Sequence, residues 1–373
     1  MFATRFHPHY SGAAKQALAL ARHLRDRGHW IEFVTVRWRG TAAYEVYEGF
    51  PVHRLEMGQG RLTREWRLWL HLLAFLWRRR GSFDVIHSHG AYYTNCIIGP
   101  LGRLFGLKSV IKASMASNDL HGIGMGFSGC LHRQCLRWVD VCIAISRDLE
   151  QEFRAAGLEG QQLKLLPNAV DTARFYPVDP PEKKALRIRL GLPAERPLAL
   201  TVGCFNQRKN LGWLLRSWIR HKGFDTSARL LAIGPQSDEE NEFQLFSAMQ
   251  SLARDHSEWV EVRPETDCIE EYFRAADVFI LPSSNEGMPN VILEAMASGL
   301  PCVATAVSGA RDLVVEGQTG FIYPVDDMEL FSGALARSLE AADTLGKQAR
   351  KMVEANYSLS ILASQYEQLY LSL

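Results

Sequence analysis

Residues 283–305 read SSNEGMPNVILEAMASGLPCVAT and hold two carboxylates, Glu286 and Glu294, in an E-x7-E spacing. A strand pattern over 278–281 ends just before them. Pro289 disfavours helix at Met288 and suits the first turn of a helix over 290–298. Glu286 is therefore expected in the loop and Glu294 on the helix, about one turn in. Gly287 lets the loop approach a ligand, and the amides of Asn290 and Val291 form a helix tip of the kind that binds phosphate. A carboxylate one turn further on can accept two hydrogen bonds from a vicinal diol such as a ribose. Two glutamates alone mean little. The strand before them and the Gly299-Leu300-Pro301 turn after them give the pair its chemical meaning.

A second group stands in residues 201–210, TVGCFNQRKN. A buried strand pattern ends at Gly203, and Arg208 and Lys209 follow before the next helix pattern. An Arg grips phosphate oxygens in a bidentate fork and a Lys acts as a point charge, so the two suit a pyrophosphate at a sheet edge. In the first half, Ser11-Gly12-Ala13-Ala14-Lys15 follows the first strand and opens a helix. His87 and His89 sit in FDVIHSHG, where alternation along an extended chain sends both side chains to one side. His89 is the better candidate for a ligand contact and His87 for a structural role at the strand turn. No carboxylate or third His joins them at metal-ligand spacing, so no metal site is expected.

Strand and helix patterns alternate almost throughout, which predicts α/β architecture with parallel sheets. Strands are expected at 1–6, 30–36, 84–87, 109–113 and 141–145, with a helix over 13–27 stopping at Gly28. The second run of strands is expected at 198–202, 230–233, 260–262, 278–281 and 302–305. Their apolar tracts are continuous, as in strands covered on both faces. Residues 167–181 (PNAVDTARFYPVDPP) carry four prolines without helical period and read as an interdomain linker. Residues 358–373 form an amphipathic helix pattern with Tyr366, Leu369 and Tyr370 on one stripe.

The bulk numbers bound these readings. A chain of 373 residues fits two domains. Its net charge of +1 gives no reason to expect nucleic acid as a partner. That total conceals 22 Lys+Arg against 13 Asp+Glu in residues 1–168 and an acidic remainder, an asymmetry that suits an anionic partner for the first half. Seven cysteines without a C-x-x-C pair argue against a disulfide framework and a zinc ribbon and suit a cytoplasmic protein. Neither a secretory h-region nor a bilayer-spanning apolar run is present, so any membrane contact is expected to be peripheral. Residues 61–80, RLTREWRLWLHLLAFLWRRR, supply the candidate for such contact. They suit a helix with one stripe in the core and Trp and Arg against anionic lipid at the inner face of the cytoplasmic membrane.

On these residues the chain is identified as resembling the retaining GT-B glycosyltransferases of family 4, known as group 1. The stretch from Glu286 through Gly320-Phe321-Ile322 follows that family's donor-binding pattern almost position for position. FDVIHSHG resembles its D-V-x-H-x-H segment, and Asn168-Ala169-Val170-Asp171 its P-N-G-V-D hinge. Two departures stand out: Cys204 where many members have Arg, and Ser308-Gly309 in place of a double glycine.

The resemblance implies two Rossmann-like domains facing across a cleft. The expected boundaries are 1–170 on the acceptor side, 171–357 for the nucleotide sugar, and 358–373 as a helix crossing back to the first domain. Glu286 would contact the donor sugar and Glu294 the ribose. Arg208 would supply the guanidinium missing at Cys204, and together with Lys209 it would clamp the diphosphate. Gly12 would face donor phosphates, Gly203 the ligand at the strand end, and Arg263 and Thr266 the loop that packs the base. The implied reaction transfers a sugar, with retention and without metal or cofactor, from a UDP-, GDP- or ADP-sugar to a glycan or lipid-linked acceptor. Bacterial cell-surface polysaccharide assembly is the expected setting. The competing readings are a GT-B sugar-nucleotide epimerase and a non-catalytic sugar-nucleotide-binding subunit. An oxidoreductase fits poorly, because no G-x-G-x-x-G follows a strand.

Overall fold

The structure, a computed structural model, describes residues 1–373 apart from 10, 59, 61–63 and 238–241. The chain divides into two compact units, Met1–Asn168 with Leu359–Leu373, and Ala169–Ser358.

The first unit is built on a sheet in the order β3-β4-β2-β1-β5-β6-β7-β8. Its strands are β1 (Phe2–Ala3), β2 (Phe33–Val36), β3 (Tyr44–Tyr47), β4 (Phe50–Leu55), β5 (Val85–His89), β6 (Lys108–Lys112), β7 (Val141–Ala144) and β8 (Leu163–Leu165). All pair in parallel except β3, which runs antiparallel to β4. Chain order runs outward in both directions from the β1–β5 pair, so the loops after β1 and β5 leave the sheet beside each other. Such a switch point is where open α/β sheets take ligands.

Local chemistry explains most of these elements. The helix Gly12–Asp26 is capped by Ser11, whose side chain accepts from the Ala14 amide at 3.2 Å. Its buried Ala17, Leu20, Ala21 and Leu24 recur at helical spacing on the face turned to the sheet. The β3–β4 hairpin lies outside the strands expected from the sequence. It turns at Glu48 and Gly49, both with positive φ, as a two-residue hairpin turn requires. The strand expected over 30–36 is shorter, β2 alone, because exposed Trp30 precedes it outside the sheet.

The last helix, Leu359–Ser372, belongs to this first unit, as the resemblance implied. It packs beside Gly12–Asp26, placing Ala363 and Tyr366 in a core with Leu20, Leu24, Val110, Val141 and Ile143. Arg27 reaches across to Glu367 at 2.8 Å and to Ser364 at 2.8 Å.

The second unit carries a parallel sheet in the order β11-β10-β9-β12-β13-β14. The strands are β9 (Leu198–Val202), β10 (Arg229–Ile233), β11 (Val260–Arg263), β12 (Val278–Leu281), β13 (Cys302–Thr305) and β14 (Gly320–Tyr323). Its core gathers Trp218, Phe224, Phe331 and Tyr323 with Leu230 and Ile280. Each buried Phe, Leu or Ile of this core contributes about 1.5–3 kcal/mol relative to exposure. Here too the order reverses, between β9 and β12.

One expectation is corrected in this unit. Residues 167–181 are not free of helix, since Pro180 opens the helix Pro180–Arg189. Asp179 caps it by accepting from the Glu182 amide at 2.8 Å. The two adjacent prolines sit in the first turn, where a missing N–H costs nothing.

Candidate functional site

The crevice of the second unit opens where β9 and β12 lie side by side and send their crossover helices to opposite sides. The two loops leaving these strands carry the residues the sequence singled out. After β9, a short turn over Gln207–Lys209 is fixed by Asn206, whose Oδ1 accepts from the Lys209 amide at 3.0 Å. Asn210 follows in the left-handed region and donates from Nδ2 to Asp326 Oδ1 at 2.8 Å. After β12, the loop over 282–289 brings Glu286 back toward that turn.

The result is a three-residue charge cluster. Lys209 Nζ donates to Glu286 Oε1 at 2.6 Å, and Arg208 lies 2.9 Å from Glu286 Oε2. Arg208 also donates to the carbonyl of Asn285 at 2.8 Å, and its own carbonyl accepts from the Ser284 amide at 2.9 Å. Glu286 and Lys209 are buried, while the Arg208 side chain keeps 29% exposure. Burial alone would push the Glu286 carboxyl up. The charges of Lys209 and then Arg208 outweigh it and hold the group below its ordinary value. Glu286 thus stays ionised, and the cluster carries one net positive charge.

Glycines make the close approach possible. A Cβ at Gly203 would press on Lys209 Cδ at 3.3 Å, and one at Gly234 would fall 1.9 Å from the Gly203 carbonyl. Gly309 has φ +70°, and a Cβ there would lie 2.4 Å from the Gly287 carbonyl. Ser308 does not need positive φ, and its hydroxyl donates to that same carbonyl at 3.3 Å. The loop therefore tolerates serine at the first position of the pair and requires glycine at the second.

The remaining candidates of this unit fall as follows. The helix expected over 290–298 is Asn290–Ala297, with Pro289 at its cap, so Asn290 and Val291 form its first turn. Glu294 stands one turn in and is half-buried. Arg263 ends β11 rather than entering the following loop, and its guanidinium meets Glu261, the Leu190 carbonyl at 2.9 Å and Tyr272. Thr266 does lie in the connection, against Cys268 Sγ at 3.2 Å.

In the first unit, Gly12 opens its helix directly after Ser11. His89 ends β5 and is buried, with neither ring nitrogen partnered among the described residues. His87 is held by Tyr370, with Nδ1 and the phenol oxygen 2.6 Å apart, and the two imidazole centroids lie 4.2 Å apart. Burial, then the nearby Lys112 for His87, holds both imidazoles well below their ordinary values and so neutral. Among the described residues no three His, Cys, Asp or Glu gather as metal ligands.

Of residues 61–80, 61–63 lie outside the described residues; the rest contains the helix Arg64–Arg78. It buries Leu68, Trp69, Leu72 and Leu76 and exposes Trp66, Leu70 and Trp77. No described helix is long and apolar enough to cross a membrane.

Comparison with known proteins accounts for both units. A family model described as "Glycosyl transferase 4-like domain" matches residues 11–169, and one described as "Glycosyl transferases group 1" matches residues 196–341. The chain belongs to the group 1 glycosyltransferases of family 4. Among its curated relatives is the N-acetyl-alpha-D-glucosaminyl L-malate synthase of Bacillus anthracis, 23% identical over 98% of this chain and 94% of that one. The D-inositol 3-phosphate glycosyltransferase of Acidothermus cellulolyticus is 27% identical over 86% of this chain and 76% of its own length. The alpha-maltose-1-phosphate synthase of Mycolicibacterium smegmatis is 27% identical over 77% and 78%.

Solved structures place this glycosyltransferase in the GT-B fold class. Sucrose-phosphate synthase from Thermosynechococcus elongatus superposes with a TM-score of 0.76 over 97% of this chain and 93% of that one, at 22% identity. Anabaena HepE in complex with UDP superposes with 0.77 over 100% and 99%, at 18% identity.

Several residues that shape the site stand outside the candidates these sequence motifs single out. Asn206 carries a legible signal, an Asn three positions before a cation at a strand end. Gly234 and Lys112 carry none, because their importance comes from a neighbouring strand.

Proposed function

We propose that this glycosyltransferase transfers a sugar, with retention and without a metal, from a nucleotide-diphosphate sugar to a glycan or lipid-linked acceptor in bacterial cell-surface polysaccharide assembly. The observation that carries the reading is the charge cluster at the second unit's switch point. Arg208 and Lys209 converge on Glu286 beside the first turn of the Asn290–Ala297 helix.

The chemistry follows from that geometry. Breaking the anomeric C–O bond leaves a diphosphate oxygen with growing negative charge. Arg208, Lys209 and the helix amides at Asn290 and Val291 are preorganised donors for it, and such electrostatics is usually the largest single contribution to catalysis. Glu286, already ionised, accepts hydrogen bonds from the sugar hydroxyls and steadies positive charge developing at the anomeric carbon. Glu294 receives the ribose diol, Gly203 and Gly287 admit the ligand to the backbone, and Arg263 and Thr266 flank the base. Gly12 and His89 serve the reaction from the first unit. With no enzyme nucleophile assigned, the acceptor attacks on the face the diphosphate leaves.

A nucleotide-sugar reaction is supported by HepE, a protein of similar fold solved with UDP and with UDP-glucose. The relatives' names favour anionic acceptors, since inositol 3-phosphate and L-malate appear in two of them. The exposed Trp66, Leu70 and Trp77 suit peripheral contact with an anionic leaflet on the cytoplasmic side. Vesicles of phosphatidylglycerol should sediment the protein where phosphatidylcholine vesicles do not.

The deciding experiment measures nucleotide-diphosphate release from UDP-, GDP- and ADP-sugars, first ranked by thermal shift, with and without candidate acceptors. Release that depends on an acceptor supports the transferase. Conversion of the sugar by donor alone would identify an epimerase, and donor binding without turnover a silent subunit.

A further inference from the structure

Lys112, the last residue of β6, is buried and forms no ion pair among the described residues. It is 5% exposed, sits in register with His89 on the neighbouring strand, and points its Nζ at the Tyr366 ring from 5.5 Å. Among the described residues that Nζ has no hydrogen bond or ion pair. Burial alone brings its pKa down from 10.5 to about 7. Around it stand four buried polar atoms without partners among the described residues: both ring nitrogens of His89, Nε2 of His87 and the Tyr366 hydroxyl. Among the described residues, no Asp or Glu charge acts on either imidazole or on Lys112.

Buried charges in proteins are paired or neutralised, and buried polar atoms are bonded. Water can satisfy imidazoles and a phenol, but it brings no counter-charge to an ammonium. The cluster lies at the C-terminal ends of β5 and β6, next to the first unit's switch point, where such sheets receive ligands.

We infer that Lys112 and His89, backed by His87 Nε2, bind a single oxyanion: a phosphate monoester or carboxylate carried by the acceptor. Lys112 gains its full charge as the anion arrives, and each imidazole turns one N–H toward an anion oxygen. The inference rests on the transferase reading only in naming the acceptor as the anion's owner. The binding itself is read without turnover.

The test titrates inorganic phosphate into the full-length chain carrying Arg208→Ala, Lys209→Ala and Glu286→Gln, which removes the clamp cations of the second unit without leaving a buried carboxylate unpaired. The phosphate response should persist there, seen as a rise in melting temperature and as heat of binding. It should weaken at least about tenfold when Lys112→Met or His89→Gln is added, in keeping with the loss of a charge-assisted hydrogen bond. Glycerol 3-phosphate and malate should compete with phosphate and glycerol should not. In buffer without oxyanions, Lys112→Met should melt higher than the wild type, because it removes a buried charge that nothing balances.

Equal phosphate affinity with and without Lys112, or a response that vanishes with Arg208 and Lys209 alone, would overturn the inference. So would a Lys112→Met chain that folds but melts below the wild type in oxyanion-free buffer; if that variant does not fold, His89→Gln carries the test, and unchanged phosphate affinity there overturns the inference. Phosphate binding that survives in a chain without any transfer activity keeps the site and removes only the acceptor as its owner.

Discussion

Lys209 Nζ and Glu286 Oε1 stand 2.6 Å apart although 77 positions separate the two residues in the chain. The contact joins the loop of one central strand to the loop of its neighbour, and it sets what substitution at either end will do. Lys209→Ala should lower nucleotide-diphosphate release by about 10²–10³-fold, the usual loss for one preorganised donor. The protein should remain folded, because Arg208 still pairs with the carboxylate. Wild-type rates in the purified variant would remove Lys209 from the proposed chemistry.

The same cluster should make stability depend on pH. The Glu286 carboxyl lies below its ordinary 4.5, so its contribution is complete above that value and fades as pH falls through the lowered one. Glu286→Gln cannot ionise and should lack this acid sensitivity. The gap in melting temperature between wild type and variant should be full at pH 6 and should narrow below about pH 4.5. A gap that stays constant down to pH 3 would show that the carboxylate is not held this way.

Two glycines predict opposite signs. Gly309→Ala forces a Cβ to within 2.4 Å of the Gly287 carbonyl in a left-handed backbone. It should cost about 1–3 kcal/mol and displace the loop that carries Glu286. Gly333, within the helix Met328–Glu340, meets nothing within 4 Å. Gly333→Ala should therefore stabilise by about 0.5–1 kcal/mol. Urea unfolding of the two variants reads both signs.

The terminal helix should be indispensable to the first unit. Tyr366 is 2% exposed within a core shared with Leu20, Leu24 and Ile143. Tyr366→Ala should cost about 3–5 kcal/mol. A chain ending at Ser358 should expose residues 1–168 to protease while 169–358 resists. Equal resistance of both units in that truncated chain would refute the prediction.

Legibility in the sequence followed physical range. The strands of the second unit were readable because continuous apolar runs such as LALTV and VFIL need only local pattern. Glu286, Arg208 and Lys209 were readable because each follows a strand and precedes a helix, which puts it at a sheet edge. The β3–β4 hairpin is not legible because its turn uses Glu48 with Gly49 instead of Asn or Asp with glycine, and because β3 is only half-buried at best. Arg263 belongs to its strand and not to the loop beyond, because its pairing with Ile233 is non-local and leaves no mark in the local pattern. Lys112 was invisible for the same reason. In sequence it is one lysine in a strand, and only the register with His89 makes it a buried cation.

The Leu359–Ser372 helix also bears on how the protein is made. It leaves the ribosome after every residue of the second unit, yet the first unit's core is unfilled without it. The earlier-born half must wait, with Leu20, Leu24 and Val110 unburied, while the later-born half has all its strands and can close first. Chaperones that hold nascent chains would find their binding sites there, on the N-terminal half.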